Sequence, residues 1–109
     1  IAAAAAFYRE TLGLENTLDD GWVQFFAITP TSSVALVESG RGYHHATQDK
    51  PVMLSIVTSD VAAWYAHLQA KNVTMLKPLN PGTGNGLVDA FLMEDPGGYT
   101  VEFFQWRER

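Results

Sequence analysis

The chain has 109 residues, 47% of them apolar and 17% charged, which suits one compact domain and excludes a disordered one. A count of 7 basic against 12 acidic residues gives −5 at pH 7 and argues against nucleic acid or an anionic membrane as partner. There is no cysteine, so disulfides and thiolate chemistry are excluded and only His, Asp and Glu remain as metal ligands. No apolar run approaches the roughly 20 residues of a membrane helix, and a soluble, cytoplasmic domain is the expectation.

Ile1 to Leu14 reads as a helix, with Ala2 to Ala6 supplying propensity and Gly13 placed to stop it. No capping residue precedes Ile1, so the chain is expected to begin inside an element. A further strand around Glu15 to Leu18 is open. Trp22 to Ile28 and Val34 to Glu38 read as strands separated by the turn Pro30 to Ser33. A polar loop, Ser39 to Lys50, carries Tyr43, His44 and His45. Val52 to Thr58 is the next strand. Ser59-Asp60 then caps a helix that shows Val61, Trp64, Tyr65 and Leu68 on one face and ends near Lys71-Asn72.

Val73 to Lys77 predicts a short strand, and Pro78 to Gly86 a loop. Leu87 to Glu94 and Thr100 to Gln105 form a last strand pair across Asp95-Pro96-Gly97-Gly98, a strong turn signal. The second half thus runs strand, helix, strand, strand, strand. The first half has the same order if a strand precedes Ile1. Two copies of one βαβββ unit, at about 1–40 and 51–109, account for the pattern.

Three segments carry a resemblance. Phe7-Tyr8-Arg9-Glu10-Thr11-Leu12-Gly13-Leu14-Glu15 resembles the first-helix signature of the glyoxalase/bleomycin resistance protein/dioxygenase superfamily, the vicinal oxygen chelate proteins. Asp60 to Leu68 resembles that family's second-module helix. Ala90 to Glu102 resembles its final hairpin, in the form seen in glyoxalase I relatives. The resemblance implies an α+β fold in which two βαβββ modules form a curved mixed sheet around a cleft. It also implies a strand ahead of Ile1 and a homodimer.

Metal-dependent members hold one divalent ion with four side chains, two from each module. By this resemblance Glu102 stands at the family glutamate, Met53 falls where a histidine is usual, and Ala35 falls where a glutamate is usual. Glu38 is nearby in the same strand as Ala35. The fourth position would precede Ile1. A thioether and a methyl group do not replace an imidazole and a carboxylate around Zn, Ni, Fe or Mn. No cofactor is therefore expected, and Glu102 is a metal ligand only in the alternative in which a divalent metal is bound.

Glu102 has two readings, a solvated rim carboxylate or a group aimed into the cleft. Strand alternation favours the second, turning Val101 and Phe103 to the helices and Thr100, Glu102 and Phe104 to the cleft. Phe26, Ala35, Met53, Ser55, Phe91 and Phe104 are the expected cleft residues. Adjacent His44 and His45 diverge, so a shared metal is disfavoured, although His44 or Tyr43 could reach a ligand from the loop. The spacing Gly82-Thr83-Gly84-Asn85-Gly86 lacks the following helix that a phosphate loop needs.

The leading functional expectation is a small-molecule-binding member without an intact metal site, its acidic, aromatic-lined cleft suited to a flat cation. The alternatives are a metal-dependent lyase or isomerase resembling glyoxalase I (lactoylglutathione lyase), with Glu102 as ligand and base, and a partner-binding domain with a degenerate cleft. A dioxygenase-like member is the other enzyme that the resemblance allows.

Overall fold

The computed structural model describes residues 1–82 and 86–108. It is α+β and divides into two compact units, Ile1–Gln48 and Asp49–Arg109. Among the described residues no helix is long and apolar enough to cross a membrane.

The N-terminal unit opens with α1 (Ala2–Ala6), which runs directly into a π-helical turn, Phe7–Thr11. The sequence predicts one plain helix through Leu14. Instead the Leu12 N–H reaches back five residues to the Phe7 carbonyl at 2.9 Å. That wider turn brings Leu12 round with Phe7, so that Phe7, its neighbour Tyr8 and Leu12 are all buried. Gly13, at φ +72°, then ends the helix in the left-handed conformation that favours glycine.

Three antiparallel strands follow, β1 (Glu15–Asp19), β2 (Val23–Thr29) and β3 (Ser32–Val37), in the order β1-β2-β3. Along β2 the pleat sends Gln24 and Phe26 to one face, where both are buried, and Phe25 to the other, where it is exposed. Phe26 packs its ring 6.2 Å from that of Tyr8. On the opposite face Leu18, Phe25 and Ala35 share one register row and Val37 lies further along β3.

The C-terminal unit holds β4 (Met53–Val57), α2 (Val61–Ala70), β5 (Thr74–Gly82), β6 (Val88–Glu94) and β7 (Thr100–Trp106). Its sheet has the order β4-β7-β6-β5, with β4 parallel to β7 and the other pairs antiparallel. Each unit therefore contains a helix followed by three strands, and in the second β4 precedes the helix. Residues Pro78 to Gly82, read from the sequence as loop, continue β5. The reason is position: β5 is an edge strand, where a proline without an N–H forfeits no ladder bond that the sheet requires. The glycine-rich spacing over 82–86 lies largely outside the described residues.

α2 covers one face of this sheet. Asp60 accepts a hydrogen bond from the Ala63 N–H at 3.1 Å, and Gln105 on β7 accepts one from the Val61 N–H at 3.0 Å. These satisfy two of the free donors at the helix N-terminus, and the second ties the helix to the sheet. Trp64 stacks on Phe103 with centroids 4.6 Å apart, Phe103 on Phe91 at 5.6 Å, and Tyr65 tilts over Phe91 at 5.1 Å. Asn72, at φ +56°, closes the helix. Asp60→Ala should lower stability by about 1 kcal/mol through loss of the cap. Urea unfolding checks this, and an unchanged midpoint with an unchanged slope would remove Asp60 from the account.

Candidate functional site

The site begins with the hairpin that joins β6 to β7. Asp95 is buried, and its Oδ1 accepts from the Gly97 and Tyr99 N–H groups, both at 2.9 Å. Gly98 adopts φ +87°, which a side chain would strain. The turn thereby locks Glu94 opposite Thr100, and every later pair follows: Leu92 opposite Glu102, Phe91 opposite Phe103, Ala90 opposite Phe104.

Because paired residues share a face, the register sorts the sheet into two surfaces. Phe91, Met93, Val101 and Phe103 face α2 and are buried. The other surface has no helix of this unit over it. Across it runs one row from β4 to β5 comprising Ser55, Glu102, Leu92 and Lys77. The next row is Val57, Phe104, Ala90 and Asn80, and Met53 stands beside Thr100 in the row on the other side. A groove of about 420 Å³ lies on this surface, with Lys77, Asn80, Ala90, Leu92 and Glu102 among its lining residues.

Glu102 is half-buried in that groove. Among the described residues its carboxylate has no hydrogen-bond or ion-pair partner. Its strand neighbour Phe104 packs edge-to-face on Trp106, with centroids 5.3 Å apart and planes at 88°, and Trp106 is 62% exposed. An unpaired carboxylate with Phe104 next along the same strand face is a setting in which an organic cation gains charge attraction and can reach a ring.

Met53, Ser55, Glu102 and Phe104 thus stand on one face, as alternation along β4 and β7 suggests. Phe91, Phe26, Ala35 and His44, also expected at the cleft, are placed elsewhere. The Phe91 ring is turned away from this face, stacked on Phe103 with Tyr65 tilted over it, although the residue also borders the groove. The Phe26 ring is fully buried against Tyr8, on the helix side of the N-terminal sheet. In both strands apolar residues occupy both faces, so composition could not choose between them. Ala35 lies on the exposed face of the N-terminal sheet, opposite Phe25. His44 is exposed in the loop after β3, its ring edge-to-face with Tyr43 at 4.9 Å.

Lys77 and Asn80 were not legible as site residues, because Pro78 reads as the end of a strand. The hairpin register supplies a signal that could have placed Phe91, since counting inward from Glu94 opposite Thr100 sets it against Phe103.

The register row of Glu102 supplies no imidazole and no second carboxylate for a divalent ion. Its row neighbours are Ser55 and Leu92, and Met53 stands on the same face two residues before Ser55 on β4. Among the described residues no group of three or more His, Asp or Glu side chains could hold a metal. One carboxylate with water binds such ions weakly, and thioether is a poor donor to them.

The family model for the glyoxalase/bleomycin resistance protein/dioxygenase superfamily matches residues 1–103. The chain belongs to this superfamily. Several solved structures are similar to it. A protein of unknown function from Agrobacterium tumefaciens str. C58 is 25% identical with a TM-score of 0.77, covering 98% of this chain and 86% of that one. A lactoylglutathione lyase from Agrobacterium tumefaciens is 24% identical with a TM-score of 0.76, covering 95% and 84%. A glyoxalase/bleomycin resistance protein/dioxygenase from Nocardioides is 20% identical with a TM-score of 0.78, covering 98% and 76%. Comparison with curated proteins finds no match.

Proposed function

We propose that this glyoxalase-superfamily chain is a small-molecule-binding protein that takes a flat, cationic aromatic ligand without a metal ion, acting in the cytoplasm as a homodimer. The observation that carries the reading is Glu102, a half-buried carboxylate without a described partner, lining a groove of about 420 Å³. Burying an unpaired charge disfavours folding, so such a group is better explained by a partner that arrives later. A ligand cation would supply the missing charge. Phe104 and Trp106 would offer ring faces and edges beside it, and the net charge of −5 would favour its approach.

A panel of aromatic cations, including 9-aminoacridine, tests this by thermal shift, since a ligand that binds only the native state raises the melting temperature. Elemental analysis after exposure to Zn, Ni, Fe and Mn should find well below one metal per chain. Tight, equimolar metal would refute the reading.

A second reading is favoured by the likeness to a lactoylglutathione lyase: a metal-dependent lyase that isomerises a thiohemiacetal, with Glu102 as ligand and base. It predicts metal-dependent turnover that Glu102→Gln abolishes. If neither metal nor any compound of the panel binds, a partner-binding domain becomes the better account.

A further inference from the structure

The groove carries a second charge that the cation-binding reading leaves unused. Lys77 lines it from β5, the edge strand, while Glu102 lines it from β7. The register sets Lys77 opposite Leu92 and Leu92 opposite Glu102, so the two charged residues share one row with a leucine between them. Two strand spacings separate their backbones, about 10 Å. At that separation, with side chains rising from the same face, the ammonium and the carboxylate stand at opposite walls of an apolar floor.

They are not paired with each other. No ion pair or hydrogen bond to either side chain is present among the described residues. A lysine on an edge strand has an ordinary use in keeping sheet edges apart. That use does not require the lysine to line a groove whose opposite wall holds an unpartnered carboxylate. Asn80, three residues on, lines the same wall as Lys77.

We propose that the ligand class of this groove is dipolar: an aromatic cation that also carries a carboxylate about 1 nm from its positive centre. The cationic ring system lies at Glu102 and Phe104, and the carboxylate reaches Lys77 on the β5 wall. The apolar midsection crosses Leu92 and Ala90. The inference rests on the cation-binding reading and narrows it, because a simple cation uses only one wall.

A matched pair of probes tests it: 9-aminoacridine bearing a carboxypropyl chain on its exocyclic amine, and the methyl ester of the same compound. The two have nearly the same size and ring system and differ in the negative charge. Fluorescence titration of the purified chain should show the acid binding at least tenfold more tightly than the ester. Lys77→Gln should reduce that preference to within twofold, chiefly by weakening binding of the acid. Glu102→Gln should weaken both probes to a similar extent. The far-UV circular dichroism spectrum and melting temperature of ligand-free Lys77→Gln serve as its folding control.

Equal affinities for acid and ester in the unsubstituted chain would overturn the dipolar inference and leave the cation-binding reading standing. So would a Lys77→Gln variant that keeps the full preference for the acid. Binding of neither probe would overturn both.

Discussion

Replacing Phe103 with alanine is expected to destabilise the chain by about 3–5 kcal/mol, the range for deleting a buried phenylalanine. Phe103 is 2% exposed and sits in the middle of three stacked rings, with Trp64 of α2 on one side and Phe91 of β6 on the other. Its strand, β7, pairs with both β4 and β6, so the cavity would open where helix and sheet meet. For a domain of this size total stability is roughly 5–15 kcal/mol, and the loss removes a large share of it. Equilibrium urea unfolding followed by far-UV circular dichroism measures the change. Phe103→Leu should cost less than half as much, because it refills part of the volume. A loss below 1 kcal/mol for Phe103→Ala would show that the stack does not anchor the unit.

The second large effect is on binding. Glu102→Gln keeps the shape of the side chain and removes its charge. A hydrogen bond to a charged group is worth about 1.5–3 kcal/mol, so affinity for 9-aminoacridine should fall roughly 10- to 100-fold. Apo stability should move the other way or not at all, since the carboxylate gives up no described partner when it is replaced. The two observables therefore diverge. A binding loss accompanied by a fall in melting temperature of the ligand-free chain would instead mean that Glu102 holds the structure together.

Much of this molecule follows from local patterns in its sequence. The turn Asp95-Pro96-Gly97-Gly98, the cap at Asp60 and the stop at Asn72 each act within a few residues, and each lies where the sequence suggests. The orientation of β7 is also legible, because only one parity buries Val101 and Phe103 together and leaves Glu102 on the other face.

Phe26 and Phe91 were harder. Their strands carry bulky apolar residues at consecutive positions, so alternation gives no sign. For Phe91 the hairpin register against Phe103 decides, and for Phe26 the contact with Tyr8 of the helical segment does. The π-helical turn at Phe7–Thr11 arises from three buried side chains competing for one helix face, which propensity alone does not register. The place of Lys77 is hidden for a third reason. Pro78 reads as a breaker, yet the strand continues because its outer edge has no neighbour to satisfy.

The central claim is that a carboxylate on an open sheet face binds a flat cation without help from a metal. Titration calorimetry of 9-aminoacridine into the chain, before and after exhaustive dialysis against a chelator, tests it most directly. The account predicts one site per chain, the same affinity in both preparations, and a 10- to 100-fold loss in Glu102→Gln run alongside. Binding that disappears on chelation and returns with a divalent ion would contradict it, as would full affinity in the Glu102→Gln variant.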